Sequence, residues 1–307
     1  MTRVGLLGTG RIGRVHAELL GGVEGLQLTA VYDAAAAAAA GLGAPVASSV
    51  DELLEEVDAV AICTSTDTHV DLIARAAAAG KAIFCEKPIS LDIAEVDRAL
   101  AAVDEAGVFL QVGFNRRFDP RHRAVRDAVV SGEVGELHLV RITSRDPEPP
   151  PLPYVRVSGG IFLDMTAHDF DLARFVTGSE VDEVYARGEV RIDAAIGEAG
   201  DLDTAVSVLR HADGTLTAID NSRRATYGYD QRVEAFGSRG VASSENPTPV
   251  PRFLLDRYRE SYVAEWSAFA ARAADAPTGA DGRAALAIGL AARRSAHEGR
   301  PVRIDEV

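Results

Sequence analysis

RVGLLGTGRIG, residues 3–13, is the stretch on which the fold of this chain turns. Leu7 closes a short apolar run, and Gly8-Thr9-Gly10-Arg11-Ile12-Gly13 follows at once, opening a helical pattern over 12–20. Apolar strand, G-x-G-x-x-G and helix in that order make a dinucleotide-binding turn. The glycines permit the tight bend, the close approach of a pyrophosphate and the packing of helix on strand. Backbone N–H groups at the helix start, around Arg11 and Ile12, supply the anion site. Asp33 stands twenty residues after Gly13, at the end of the second apolar run. Its carboxylate would accept hydrogen bonds from ribose hydroxyls and repel a 2′-phosphate. Ala34, Ala35 and Ala36 follow, where an NADP enzyme usually has a basic residue, so NAD is expected over NADP. Flavin is disfavoured, because it would need more covering chain than this sequence easily spares. The alternative is an ordinary strand-to-helix turn in which Asp33 merely caps the next helix.

Outward from this turn, apolar runs at 3–7, 28–33, 58–63, 81–86 and 108–113 alternate with helical stretches at 12–20, from 34 onward, 50–56, 69–79 and 93–106. Nearly continuous apolar runs are strands covered on both faces, and strict alternation with helices predicts a parallel, doubly wound Rossmann sheet. The alanines at 34–40 read as a helix of this unit, alanine having the highest helix propensity. After about residue 120 the pattern changes. Pro147, Pro149, Pro150, Pro151 and Pro153 predict a long loop that is neither helix nor central strand. A helical segment over 160–177 follows, then strand-like runs at 181–192, 204–210, 215–221 and 232–236 and two helices at about 256–274 and 282–298. HADGT, residues 211–215, carries an Asp-Gly turn signal between two of the strands. An α+β domain with antiparallel strands is expected, giving 1–118 as a dinucleotide-binding domain and 119–307 as a substrate and oligomerisation domain. No internal repeat is visible.

The whole-chain figures agree. At 307 residues, 47% hydrophobic and 25% charged, the chain is neither disordered nor a small disulfide-stapled scaffold, and its length suits two domains. A net charge of −14, from 46 acidic against 32 basic residues, argues against nucleic acid as a partner. Cys63 and Cys85 lie in apolar runs without metal or redox spacing and read as buried thiols of a reducing compartment. No secretory signal or membrane-spanning run is seen, so a cytoplasmic protein is expected.

Two clusters carry candidate chemistry. Glu86-Lys87-Pro88 follows the fourth apolar run; Pro88 restricts Lys87 to extended geometry, and an ammonium at the carboxyl end of a parallel strand faces a ligand crevice. The alternative for Lys87 is a solvated surface cation. Asp164-Met165-Thr166-Ala167-His168-Asp169-Phe170-Asp171 lies in a helical pattern that puts Asp164 and His168 one turn apart on one face, where the carboxylate can orient the imidazole. Metal binding by Asp169 and Asp171 ranks below acid–base work, since the spacing matches no zinc helix. The alternative for His168 is a structural histidine. A base titrating near neutrality, a lysine cation and a hydride-accepting cofactor are what alcohol oxidation needs.

GTGRIGRVH (8–16), TSTDTH (64–69), CEKPIS (85–90), GFNRRFD (113–119) and SGGIFLDMTAHDFDLARF (158–175) together resemble the glucose–fructose oxidoreductase/inositol dehydrogenase family, in order and spacing over most of the chain. SRDPEPPPLPYVRVSGGIFLDMTAHDFD with YGYDQRVEAFGSRG (227–240) is similar to its inositol 2-dehydrogenase branch. The resemblance implies a Rossmann domain, a C-terminal domain on a large, mainly antiparallel sheet, and a tetramer packed through those sheets. It implies that Lys87 contacts substrate hydroxyls, Asp164 binds substrate and supports the histidine, and His168 is the general base. Glu86 resembles the family glutamate beside the nicotinamide ribose, and Thr64 and His69 the nicotinamide side, although His69 is equally a helix-start residue. Asn115 and Arg117 lie where the family lines its crevice, without an assigned role. Tyr227 and Tyr229 read either as polyol contacts or, for one of them, as packing. The implied activity is NAD-dependent oxidation of a cyclic polyol, myo-inositol to 2-keto-myo-inositol (scyllo-inosose). The alternatives are a scyllo-inositol or aldose dehydrogenase and, in another class, a non-catalytic NAD-binding sensor.

Overall fold

In a computed structural model, which describes residues 1–307, the apolar runs of the first 115 residues become five strands. They are β1 (Thr2–Leu7), β2 (Leu26–Tyr32), β3 (Ala59–Ile62), β4 (Ala82–Cys85) and β5 (Leu110–Val112). All pair in parallel, in the order β2-β1-β3-β4-β5. Every residue of β3 and β4 is buried, which is why these runs show no alternation. Helices α1 (Arg11–Leu20), α3 (Val50–Glu56), α4 (His69–Ala78) and α5 (Ile93–Ala106) connect them. The strand order reverses at β1 and β3, and ligands of open parallel sheets bind beyond the carboxyl ends of the strands at such a point.

The alanine run does not become the expected helix. Only α2 (Ala36–Ala39), a single turn, forms. Two glycines at φ +81°, Gly41 and Gly43, end it, and the chain returns to the sheet, where Val31 bonds Pro45 and Ala47 at 2.9 Å each. That pairing leaves no length for more helix.

The chain forms two compact units, Met1–Asn115 with Arg259–Arg283, and Arg116–Tyr258 with Ala284–Val307. The first therefore takes in a C-terminal segment, where the sequence reading gave everything after 118 to the second. The reason is apolar packing. Helix α11 (Leu254–Ala271) delivers Trp266 and Phe269 into the core of Val4, Leu6, Val31, Ala61 and Phe84. Trp266 is 0% exposed and stacks on Phe84 with ring centroids 4.4 Å apart. Burying an indole of about 200 Å² stabilises by roughly 5 kcal/mol as an upper bound.

The second unit is built on seven strands, β6 (Leu137–Arg145), β7 (Val181–Glu189), β8 (Thr204–His211), β9 (Leu216–Ser222), β10 (Asp230–Gly237), β11 (Gly240–Ser244) and β12 (Val302–Arg303). Their order is β11-β10-β6-β9-β8-β7-β12, antiparallel except for the β6–β9 pair. The Asp213-Gly214 hairpin joins β8 to β9 as expected, with Gly214 at φ +90°. Strand β6, in mid-sheet, α6 (Pro120–Val130), β11 and β12 are not foreseen from the sequence. The expected strand 181–192 stops at Glu189, because the N–H groups of Arg191, Ile192 and Asp193 turn to the Asp203 carboxylate ahead of α10 (Ala194–Glu198). Within the proline-rich segment one turn of helix does form, α7 (Leu152–Val155); Pro153 falls in its first turn, where no N–H is needed. The segment 160–177 is two helices, α8 (Ile161–Asp164) and α9 (Ala167–Thr177), and α12 (Gly279–Glu298) precedes β12.

Candidate active site

The glycine turn has the shape its spacing predicts. Gly8 lies at φ +90°, and a Cβ there would meet the Thr64 nitrogen at 2.6 Å. A Cβ on Gly13 would stand 2.0 Å from the Gly8 carbonyl oxygen, so this glycine is what lets α1 close on β1. Around Gly10, by contrast, a Cβ would meet nothing within 4 Å. Gly10 is the N-cap of α1, no side chain caps that end, and no acidic residue lies in its first turn. Uncapped N–H groups at the positive end of a ten-residue helix, with open space over Gly10, fit a pyrophosphate.

Asp33 follows β2. Its Oδ2 accepts the Thr9 N–H and hydroxyl at 2.8 Å each, and its Oδ1 accepts the Ala35 N–H at 2.9 Å. Partial burial opposes its ionisation, but the N–H groups of Thr9 and Ala35 prevail and hold its pKa below the usual carboxylate range. Asp33 thus braces the glycine turn as well as capping the bend after β2, and remains a partly exposed anion.

At the ends of β3 and β4 the calls separate. Thr64 is half-buried and accepts the Thr68 hydroxyl at 2.7 Å. His69 is 2% exposed; its Nδ1 faces the Pro88 carbonyl at 2.9 Å and its Nε2 the Thr64 carbonyl at 3.1 Å. Burial lowers its pKa despite those carbonyls. With its two ring nitrogens facing these carbonyls, His69 bridges the loop after β3 and the Lys87–Pro88 turn. Lys87, partly exposed, follows Glu86 directly after β4, and its N–H donates to Glu86 Oε2 at 3.2 Å. The Lys87–Pro88 peptide is cis. Cys63 and Cys85 are free and buried, and burial pushes both thiols well above their ordinary pKa, so neither serves as a nucleophile.

In the second unit Asp164 and His168 do not share one continuous helix. Asp164 ends α8, Met165 and Thr166 interrupt, and His168 is the second residue of α9, partly exposed. Asp164 is instead gripped by groups distant in sequence. The Tyr154 hydroxyl donates to its Oδ1 at 2.9 Å, and Arg223 Nη1 lies 3.5 Å from its Oδ2. Arg223 is 2% exposed and donates to Asp201 at 2.9 Å, while Asp201 accepts the Ile161 N–H that opens α8. Tyr154, Arg223 and Asp201 were not among the sequence candidates; a buried arginine is the only signal, and burial cannot be read from one position.

The remaining acids of the helix are committed. Asp169 pairs with Arg116 and accepts the Asn221 amide at 2.7 Å, and burial raises it to about 6. Asp171 takes a bidentate pair from Arg117 at 2.7 and 2.5 Å. Arg117 is thereby a buried structural cation, and neither carboxylate is open to a metal. Asn115 is buried, 4% exposed, at the start of a 3-10 turn, Asn115–Phe118. Tyr227 is half-exposed and donates to Asp230 at 2.6 Å; the Tyr229 ring packs edge-on against Tyr258 at 5.8 Å. No helix is long and apolar enough to cross a membrane.

Residues 2–114 match the model of an oxidoreductase family with an NAD-binding Rossmann fold, and residues 122–243 match the GFO/IDH/MocA C-terminal domain. The chain is 46% identical to the myo-inositol 2-dehydrogenase of Thermotoga maritima over 99% of both chains. It is 49% identical to the inositol 2-dehydrogenase of Rhizobium meliloti over 98% of this chain and 99% of the relative. Its structure is similar, with a TM-score of 0.90 at 27% identity and 99% coverage of both chains, to a scyllo-inositol dehydrogenase of Lactobacillus casei bearing NAD(H) and scyllo-inositol. With a glycine turn shaped for a dinucleotide in one unit and a held carboxylate four residues before a histidine in the other, the chain belongs to the GFO/IDH/MocA family of NAD-binding oxidoreductases.

Proposed function

We propose that this protein oxidises one secondary hydroxyl of a cyclic polyol, converting myo-inositol to 2-keto-myo-inositol (scyllo-inosose). The observation that carries the reading is the state of Asp164. A carboxylate held by Arg223 and by the Tyr154 hydroxyl, four residues before a partly exposed histidine, suits accepting hydrogen bonds from a polyhydroxylated ligand. His168 takes the hydroxyl proton, Lys87 stabilises the developing alkoxide, and Asp164 orients the substrate and supports the imidazolium. The backbone N–H groups around Gly10 hold the pyrophosphate, Asp33 the adenosine ribose, and Glu86, with Thr64 nearby, the nicotinamide side. NAD bound there supplies the hydride acceptor. The balance is one hydride from carbon and one proton from oxygen, leaving the ketone. Asn115, Tyr227 and Tyr229 are assigned to the polyol subsite, the two tyrosines as rim contacts.

A scyllo-inositol substrate is the second reading, favoured by the likeness to the Lactobacillus casei enzyme. We also assign the open face of the second sheet to a homotetramer in the cytoplasm. Tyr185, Val206, Val208, Leu216, Phe236 and Val241 are each 41–57% exposed on it, apolar side chains that a partner subunit would cover. Sedimentation of the full chain as a monomer would overturn that assignment. For the activity, the test is NADH formation with myo-inositol, scyllo-inositol, chiro-inositol and common aldoses. Myo-inositol is expected to be turned over best, and His168→Ala and Lys87→Ala each to lose roughly 10²–10⁴-fold in kcat while still binding NAD. NAD binding without turnover of any polyol would leave a sensor rather than an enzyme.

A further inference from the structure

Glu86 is fixed from three sides within the first unit. His16 Nε2 lies 2.8 Å from its Oε1, the Lys87 N–H donates to its Oε2 at 3.2 Å, and a Cβ on Gly113 would stand 3.1 Å from its carboxyl carbon. Behind it, Trp266 Nε1 donates to His16 Nδ1 at 3.0 Å. An indole N–H can only donate, so Nδ1 is an acceptor and the one ring proton of a neutral His16 sits on Nε2, pointing at Glu86. The imidazole is 0% exposed and is walled edge-on by Phe84, Tyr262 and Trp266 at 5.1, 5.4 and 5.5 Å. In such a shell an apolar ring would pack as well and spare the cost of burying two polar nitrogens. Glu265, beside Trp266 in the chain, is fully buried; burial and then the charge of Glu86 hold its pKa well above the carboxylate range.

We propose that His16 is a positioning residue: locked as the Nε2–H tautomer by Trp266, it aims the Glu86 carboxylate at bound NAD. The proposal rests on Glu86 being a cofactor contact, as assigned above, and on no assumption about the polyol. It is tested by titrating NAD into the full chain calorimetrically and by measuring KM for NAD and for myo-inositol. His16→Phe keeps the aromatic packing and removes both hydrogen bonds; NAD affinity should fall about tenfold, the loss of roughly one such bond, with KM for myo-inositol changed less than about twofold. His16→Gln carries an acceptor and a donor at comparable spacing and should recover NAD affinity to within about threefold of wild type. Trp266→Phe, which frees the tautomer, should fall between. Trp266 is the only tryptophan, so its emission should shift in His16→Phe and return in His16→Gln.

Wild-type NAD affinity in His16→Phe, or a His16→Gln as weak as His16→Phe, would overturn the proposal. If His16→Phe does not fold, Trp266→Phe decides, unchanged affinity counting against. Glu86→Gln separates the two levels. If it binds NAD like wild type, Glu86 is no cofactor ligand and both statements fall; if it weakens NAD and His16→Phe does not, only the role of His16 falls.

Discussion

Replacing Asp164 by Asn probes the second unit with little change of shape. The carboxylate lies 3.5 Å from Arg223 Nη1, which at an effective dielectric of 20 is a gross attraction of about 5 kcal/mol. Most of that is offset by the desolvation of two buried charges, and Arg223 keeps Asp201 at 2.9 Å, so it is not left alone. The Tyr154 hydroxyl still finds an acceptor in the amide oxygen. The net loss is then that of one charge-assisted contact, about 2 kcal/mol, or roughly 4–8 °C in Tm. Turnover should suffer more, by about 10²–10⁴-fold, because an amide cannot support an imidazolium as a carboxylate does. The assay pairs thermal unfolding with initial rates and calorimetric NAD binding. The cofactor is assigned to the glycine turn and Asp33, not to Asp164, so NAD affinity should not move. An Asp164→Asn variant with wild-type kcat, or one that loses NAD and polyol affinity equally, would refute this division of labour.

Three further outcomes are expected. Gly10→Ala meets open space and should leave Tm unchanged while cutting NAD affinity at least about tenfold, whereas Gly13→Ala, 2.0 Å from the Gly8 oxygen, should lose both; equal behaviour of the two would deny that the space over Gly10 belongs to the cofactor. Burial drives His122 down to about 4 against the pull of Asp119, so the unfolded chain binds a proton there that the folded chain does not. Stability should therefore fall as pH drops from the ordinary histidine value of about 6.5 to about 4, and His122→Asn, compared with wild type by melting across that window, should flatten the fall. Asp171→Asn removes the negative charge from a buried bidentate pair with Arg117 and should cost about 3 kcal/mol in denaturant unfolding, while a chelator leaves turnover of the wild type untouched; chelator inhibition would reopen the metal question.

The Rossmann unit was legible because its evidence is local. β3 and β4 are continuous apolar runs, and the glycine turn puts its stereochemistry into six consecutive residues. β6 escaped because Arg141 and Arg145 stand on its outward face and its hydrophobic face shows only as alternation. The return of Trp266 and Phe269 to the first core is a contact across most of the chain, invisible to any window. The same distance hid the groups that hold the site. Arg223 is far from Asp164 in sequence and Trp266 from His16, and nothing in GRIGRVH says that its histidine faces Glu86. Asp164 and His168 were placed on one continuous helix by their spacing, and the break at Met165 and Thr166 is set by the fold and not by that spacing. His69 sat beside the right loop, but its burial between two carbonyls is a property of the folded chain alone.

The most direct measurement is to supply myo-inositol carrying deuterium on C2 and to follow the label by NMR in the nicotinamide and in the ketone. Deuterium on C4 of the reduced nicotinamide, equimolar with scyllo-inosose and lost with His168→Ala, is the expected result. Reduction without label transfer, or tight NAD binding with no reduction at all, would contradict oxidation of a polyol by direct hydride transfer.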